Sequence, residues 1–412
     1  MHSLMGRKRL TSRARSILIS MSPQGTVDWV NRIKPLLHRQ IQSRARLVAR
    51  LEQEHCAGYC KAAASSHCRC LVLRYEIATP TEPHRSHSPD SPASDHPEAD
   101  TSLLNEILLG LTSEKKTLPS KLLYDATGSE LFQRITELPE YYLTRTERKL
   151  LRASAADIVG SVPFEAGRGR ALVEFGASDE SKAVSLLDVG ESHFSAYLAI
   201  DISPSVLGPI RTRMQVTHPQ IMVETLAADF LQPLTMPGTL GGMHMVGFLP
   251  GSTVGQFPPA AVVQFLENVR RALTGATRPA FVIGTDQCRD PGRVLPAYND
   301  SAGVSKAFNL NMLSHINRLT DGDLDQRSFG HEALWNPREE RVEIYLESRL
   351  EQSVRIAGRS IHFAEGETIQ TGISYKYAKE RFLSIAADAG WSSAGFWQDS
   401  EKLFAIHLLQ AR

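Results

Sequence analysis

Between residues 171 and 284, short apolar runs alternate with longer stretches of helical periodicity, and this alternation restricts the fold more than any other feature of the chain. The apolar runs predict strands over 171–175, 195–200, 221–226, 243–249 and 280–284. The segments between them have helical spacing over 181–187, 204–214 and 259–273. Strands that alternate with helices at this spacing predict an α/β fold, a parallel sheet wound with helices on both faces. Ligands of such sheets bind beyond the carboxyl ends of the strands.

Chemistry-bearing residues fall at those ends. The first strand enters Leu172-Val-Glu-Phe-Gly-Ala-Ser-Asp-Glu-Ser-Lys182, passing Glu174 and Gly176 before a helix begins. A glycine there lets the backbone approach a ligand, and the helix N-terminus offers free N–H groups. Asp201 closes the second strand and Asp229 follows the third. A carboxylate presents two acceptor oxygens, so Asp201 suits the two hydroxyls of a ribose and Asp229 an adenine amino group. Taken singly, each acid also serves as a helix N-cap. Neither a three-glycine dinucleotide fingerprint nor a phosphate-binding lysine loop is present. An adenosine cofactor without pyrophosphate, S-adenosylmethionine, therefore fits better than NAD.

The flanking regions read differently. Residues 1–100 are basic and acid-poor at first, then rich in Pro, Ser and His over 79–92, and are expected to be a disordered extension. The basic start resembles an organelle transit peptide, with a dispensable leader as the alternative. Four of the five cysteines, Cys56, Cys60, Cys68 and Cys70, lie in this extension at a spacing that matches no standard zinc knuckle, so no metal is expected. Helices are predicted over 103–109 and 129–138, the second halted by Pro139, with Thr144 and Glu147 forming a capping box for the next. Beyond 284 a helix over 302–319 precedes antiparallel strands over 341–363, then a helix over 378–389 and a last strand over 403–409. A net charge of +1 and the absence of a long apolar run argue against nucleic-acid and membrane partners. The expected partner is a small molecule, and the protein is expected to be a cytoplasmic monomer.

Several longer motifs then carry a resemblance. Leu123-Tyr-Asp-Ala-Thr-Gly-Ser-Glu-Leu-Phe132 and Leu138-Pro-Glu-Tyr-Tyr-Leu-Thr-Arg-Thr-Glu147 resemble the opening signature of the L-histidine Nα-methyltransferases of ergothioneine biosynthesis. Pro250-Gly-Ser-Thr-Val-Gly255, Ala297-Tyr-Asn-Asp-Ser-Ala-Gly-Val304, Ala307-Phe-Asn-Leu-Asn311 and Ser374-Tyr-Lys-Tyr377 follow in the family's order. The likeness spans about residue 102 to the C-terminus. It implies a Rossmann-like class I methyltransferase with a seven-stranded, mostly parallel sheet and a smaller α+β substrate-binding domain. The expected boundaries are 146–287 with 379–412 for the cofactor domain, and 101–145 with 288–378 for the substrate domain. Carried over by position, the resemblance implies cofactor contacts at Tyr124, Gly176, Lys182, Asp201, Asp229 and Phe230. It implies substrate contacts at Tyr141, Gln256, Tyr298, Gly372, Ile373 and Ser374, with Tyr141 also catalytic.

Three positions depart from the family pattern. Ser178 stands where the family commonly has a second glycine, which is tolerable if its φ is negative. Gln256 replaces an asparagine and is one methylene longer. Gly372 replaces a glutamate that would hydrogen-bond the substrate imidazole; a charge-assisted bond is worth about 1.5–3 kcal/mol, roughly tenfold to a hundredfold in affinity. The implied reaction is trimethylation of the histidine α-amine to hercynine. The vacated space at Gly372 suits the alternative, N-methylation of another aromatic amino acid or an indole precursor. A more distant alternative is a cofactor-binding homologue without turnover.

Overall fold

The computed structural model describes residues 101–163, 168–189, 194–273 and 278–412. The expectations for residues 1–100, including the leader and the four cysteines, lie outside the described residues. The described residues open with helix α1 Thr101–Thr112, the short strand β1 Lys116–Thr117, and helices α2 Ala126–Thr136 and α3 Tyr142–Ser161. The alternating block follows: β2 Arg170–Phe175, α4 Ser181–Leu187, β3 Ala196–Asp201, α5 Pro204–Thr217, β4 Met222–Ala227, β5 His244–Leu249, α6 Pro259–Ala272 and β6 Ala280–Asp286. Helix α7 Val304–Thr320 leads to strands β7 Phe329–Asn336, β8 Arg341–Ser348, β9 Gln352–Ile356, β10 Arg359–Phe363 and β11 Thr368–Tyr375. Helix α8 Lys379–Asp388 and strands β12 Trp391–Gln398 and β13 Phe404–Ala411 complete the chain.

Seven strands form one sheet in the order β12-β13-β6-β5-β2-β3-β4. The five from β6 to β4 are mutually parallel, β13 runs antiparallel to β6, and β12 runs antiparallel to β13. This is the expected α/β class. Its central strand β2 is buried along its whole length, because both faces are covered. Val173 and Phe175 face a core shared with Phe265 of α6 and Phe382 of α8. Leu172 faces the opposite core, with Leu151 of α3, Leu187 of α4 and Ile210 of α5. From β2 the chain winds outward through β3 to β4, then returns to β5 on the other side of β2. The carboxyl ends of β2 and β5 therefore flank a topological switch point, where an open sheet leaves a crevice.

A second sheet has the order β1-β11-β8-β7, and β9 pairs with β10 as a separate ribbon. Along β8 burial alternates residue by residue, so one face is covered and the other is not. The covered face packs with Phe308, Met312, Leu313 and Ile316 of α7. Strand β11 is irregular: its pairing with β8 shifts register between Gln370 and Gly372, inserting one residue. Bulges of this kind recur beside binding sites because they re-aim the side chains that follow.

Local expectations failed where tertiary contacts compete. Helix α2 is capped by Asp125, whose Oδ1 accepts from Gly128 N at 2.7 Å, and it ends three residues before Pro139. The capping box at Thr144 does not form. Helix α3 starts at Tyr142, Thr144 lies buried inside it, and the Glu147 carboxylate turns inward to Lys182 and to the Gly251 N–H. Strand β12 was not expected from its Ser-Ser-Ala-Gly run, which bulges between Ser393 and Gly395.

Candidate active site

The crevice at the switch point opens into a cavity of about 800 Å³, lined by residues from both sheets and from α2, α3 and α7. All twelve positions singled out from the sequence line it: Tyr124, Tyr141, Gly176, Lys182, Asp201, Asp229, Phe230, Gln256, Tyr298, Gly372, Ile373 and Ser374. They come from segments up to 250 residues apart, from Tyr124 to Ser374, so folding alone brings them together.

One wall is built on strand ends. Gly176 has φ of +72°, a conformation that disfavours side chains, and a Cβ there would meet the Phe230 ring at 3.5 Å. The adjoining Ser178 has a negative φ, so the serine in place of a glycine carries no backbone strain. At the end of β3, Asp201 Oδ1 accepts from Ser203 N at 2.8 Å, and burial raises the pKa of its carboxyl. Asp229 Oδ1 accepts from Leu231 N at 3.0 Å, while Oδ2 lies 3.8 Å from Lys121 Nζ. Both acids thus hold the following turn with one oxygen. Neither acid caps a helix: Ser203 is the N-cap of α5 and no helix directly follows Asp229, so the N-cap reading fails for both. Phe230 is fixed edge-on against Phe175, Phe257 and Phe265 at centroid distances of 5.6–6.3 Å.

Two more acids support this wall: Glu147, expected from the sequence only as part of a capping box, and Glu174, expected at a strand end but given no ligand contact. Glu147 is buried in α3. It bonds Lys182 Nζ at 2.7 Å and accepts from Gly251 N at 2.8 Å, tying α4 to the turn after β5. Gly251 has φ of +78°, and a Cβ there would press on Lys182 Nζ at 3.3 Å. Glu174, buried and bonded by the Tyr197 hydroxyl, has its carboxyl pushed up to about 8 by burial.

The opposite wall is aromatic and hydroxylic. Gln256 Nε2 donates to the Tyr124 hydroxyl at 3.1 Å, and burial pushes the Tyr124 phenol up to about 12. The Tyr141 ring meets that of Tyr298 edge-on at 6.5 Å; burial holds the Tyr141 phenol well above its ordinary pKa, so it stays protonated. The Tyr298 and Ser374 hydroxyls are 2.8 Å apart. Gly372 lies just past the bulge, and a Cβ there would touch only Ile344 Cδ1, at 3.4 Å.

Behind Tyr298 and Ser374 sits a buried charge pair that sequence reasoning also missed. Lys376 Nζ is 2.6 Å from Asp286 Oδ2, and neither side chain is exposed. The Tyr142 hydroxyl donates to the same carboxylate, at 2.8–2.9 Å. Asp286 was findable by the rule that found Asp201, since it ends β6 as Asp201 ends β3. Lys376 gave no such signal, because the partners that hold its charge, Tyr298 and Asp286, lie 78 and 90 residues away.

A half-buried acid with a spare oxygen at the end of β3, a second after β4 and a positive-φ glycine after β2 fit an adenosine bearing an amino-acid tail. Comparison with known proteins agrees. A family model described as histidine-specific methyltransferase, SAM-dependent, matches residues 103–411. The histidine N-alpha-methyltransferase of Mycolicibacterium smegmatis is 36% identical over 311 residues, covering 74% of this chain and 94% of that protein. That of Mycobacterium tuberculosis is 36% identical over 313 residues, with 74% and 94% covered. Ergothioneine biosynthesis protein 1 of Neurospora crassa is 29% identical over 318 residues, covering 71% of this chain and 33% of that longer protein. With the family match spanning residues 103–411, both walls of the cavity included, and two relatives 36% identical over nearly their whole length, the chain belongs to the S-adenosylmethionine-dependent, histidine-specific methyltransferase family.

Proposed function

We propose that this protein methylates the α-amine of L-histidine, up to the trimethylated betaine hercynine, in ergothioneine biosynthesis. The observation that carries the reading is the shared cavity: strand-end acids suited to an adenosine face a hydroxyl-rich wall suited to an amino acid. Relatives aligned over nearly their whole length are histidine N-alpha-methyltransferases.

In this reading Asp201 takes the ribose hydroxyls, Asp229 the adenine amino group, and Phe230 packs on the base. Gly176 allows close backbone approach, and Lys182, aimed by Glu147, holds the carboxylate of the amino-acid tail. Tyr124 completes this side and is tied by its bond to Gln256 on the other. Bound S-adenosylmethionine supplies a methyl group activated by its sulfonium. Gln256, Tyr141 and Tyr298 hold the substrate's amine and carboxylate, while Gly372, Ile373 and Ser374 border its ring. Tyr141 remains protonated, so it is not a phenolate base; its oxygen accepts from the amine and aims the nitrogen lone pair. The released proton leaves through solvent in the open crevice. We assign cofactor binding to 146–287 with 379–412, and substrate binding to 101–145 with 288–378. We also place the protein as a cytoplasmic monomer acting on a small molecule, without nucleic-acid or membrane partners. No helix among the described residues is long and apolar enough to cross a membrane.

A second reading, methylation of an indole amino acid, is favoured by one observation: Gly372 contributes no side chain, and its neighbour Ile344 is apolar. Labelled S-adenosylmethionine with a panel of free amino acids decides. Trimethylhistidine is the expected product. Methylated tryptophan in its place would establish the second reading, and cofactor binding without any product would show a protein that has lost turnover.

A further inference from the structure

Lys376 does not line the cavity, yet it touches two residues that do. Its ammonium has three hydrogens and three partners: Asp286 Oδ2 at 2.6 Å, the Tyr298 hydroxyl at 2.8 Å and Ser374 Oγ at 3.0 Å. The Tyr298 ring also lies 4.7 Å from Nζ, in cation–π range. Asp286 is anchored in turn, accepting from the Tyr142 hydroxyl and from Cys288 N at 3.0 Å. Burial alone would discharge Lys376, but Asp286 and the Tyr298 hydroxyl hold its pKa above the ordinary lysine value.

An ammonium can only donate. The Tyr298 and Ser374 hydroxyls must therefore both accept from it. Each hydroxyl has one hydrogen and two lone pairs. Lys376 takes one lone pair from each, and the Tyr298–Ser374 bond consumes one hydrogen and one further lone pair. One hydrogen and one lone pair remain. If Tyr298 donates to Ser374, the spare hydrogen is on Ser374 and the spare lone pair on Tyr298; if the bond runs the other way, they exchange places. Without the ammonium, three lone pairs would remain, and one of them would share an oxygen with the spare hydrogen.

We propose that Lys376, clamped by Asp286, is a positioning residue for the substrate: it makes the Tyr298–Ser374 couple present one O–H donor and one acceptor, always on different oxygens. Such a couple matches a ligand that offers both kinds of group side by side, as a neutral imidazole or an amino-acid head group does. This inference rests on the reading that the cavity takes an amino acid.

The test uses the full chain, with L-histidine affinity measured by calorimetry at saturating S-adenosylhomocysteine, alongside cofactor affinity. Lys376→Met combined with Asp286→Asn removes both buried charges and so avoids stranding a lone carboxylate. The expected result is histidine affinity weakened by about tenfold or more, with cofactor affinity within about twofold of the parent. Equal histidine affinity in a variant that still binds cofactor overturns the proposal. A second series applies even if that variant does not fold. In Tyr298→Phe or Ser374→Ala the remaining hydroxyl, still bonded by Lys376, keeps one hydrogen and one lone pair. Each single change is therefore expected to weaken histidine binding only about threefold, and the pair together about fiftyfold. Effects that simply multiply would overturn the proposal. A parent protein that binds cofactor but not histidine refutes the histidine reading and this role together, whereas a histidine-binding parent with an unaffected double variant refutes only the positioning role.

Discussion

On the side of β2, β3 and β4 the cavity is furnished by single residues at strand ends, each held by its own turn; on the side of β11 it is furnished by side chains that bond one another. Asp201 and Asp229 each spend one oxygen on a backbone N–H two residues on and share no partner. Tyr298, Ser374, Lys376, Asp286 and Tyr142 form one connected set drawn from four separate elements or loops. Independent contacts should be separable by mutation and nearly additive, while a network should not. The first wall suits a ligand bound in the same way throughout a family. The second suits one that must be discriminated from close analogues, because buried polar groups left unpaired by the wrong ligand are costly.

The largest test of this contrast is Asp201→Ala. Losing a carboxylate that accepts two hydroxyls should weaken S-adenosylhomocysteine binding about a hundredfold by calorimetry, with histidine KM at saturating cofactor nearly unchanged. An unchanged cofactor affinity would remove Asp201 from the ribose site. Next in size is Tyr141→Phe, expected to lower kcat about thirtyfold with cofactor affinity intact. Because its phenol is held far above neutrality, the parent should show no fall in kcat from Tyr141 ionisation as pH rises from 7 to 9. Gly372→Glu places a carboxylate beside Ile344 without a backbone clash, and should tighten histidine binding about tenfold while excluding indole substrates. No gain for histidine would argue that the ring lies elsewhere.

The smallest effect concerns stability. Glu174 has its carboxyl raised to about 8, so between about pH 4.5 and 8 the folded protein binds a proton that the unfolded chain releases. Stability must then fall as pH rises through that window. Glu174→Gln should flatten the slope and raise Tm at pH 8 by a few degrees, roughly 2–4 °C per kcal/mol for a domain of this size. An identical pH profile in thermal melts would show that Glu174 is ionised in the fold.

What could be read from the sequence follows the same division. The parallel strands lie within one or two residues of their expected positions, because four of the five are covered on both faces and are therefore mostly apolar. Asp201 and Asp229 were legible because their meaning is local: an acid just past a strand. Lys376 and Glu147 were not, since the charge that each one pairs with is distant in sequence. Thr144 shows the reverse error. Its capping pattern is sound locally, but Lys182 and the Gly251 N–H compete for Glu147, and Tyr142 is drawn toward Asp286. Strand β12 escaped notice for a third reason: it is an edge strand, mostly only partly buried, and needs little apolar patterning.

The bulge in β11 has a wider meaning. Ile369, before it, belongs to the core of the smaller sheet; Tyr375, beyond it, belongs to the core of the large one. The strand is thus stitched into two separate cores, and the three cavity residues 372–374 lie on the span between the stitches. The bulge just before that span accommodates one surplus residue, and Ile373 within the span packs against the large core. Chain length is therefore a variable here as well as residue identity. Deleting the surplus residue would let Gly372, Ile373 and Ser374 keep their partners on β8 while removing the local kink that aims them at the cavity, with both anchors in place.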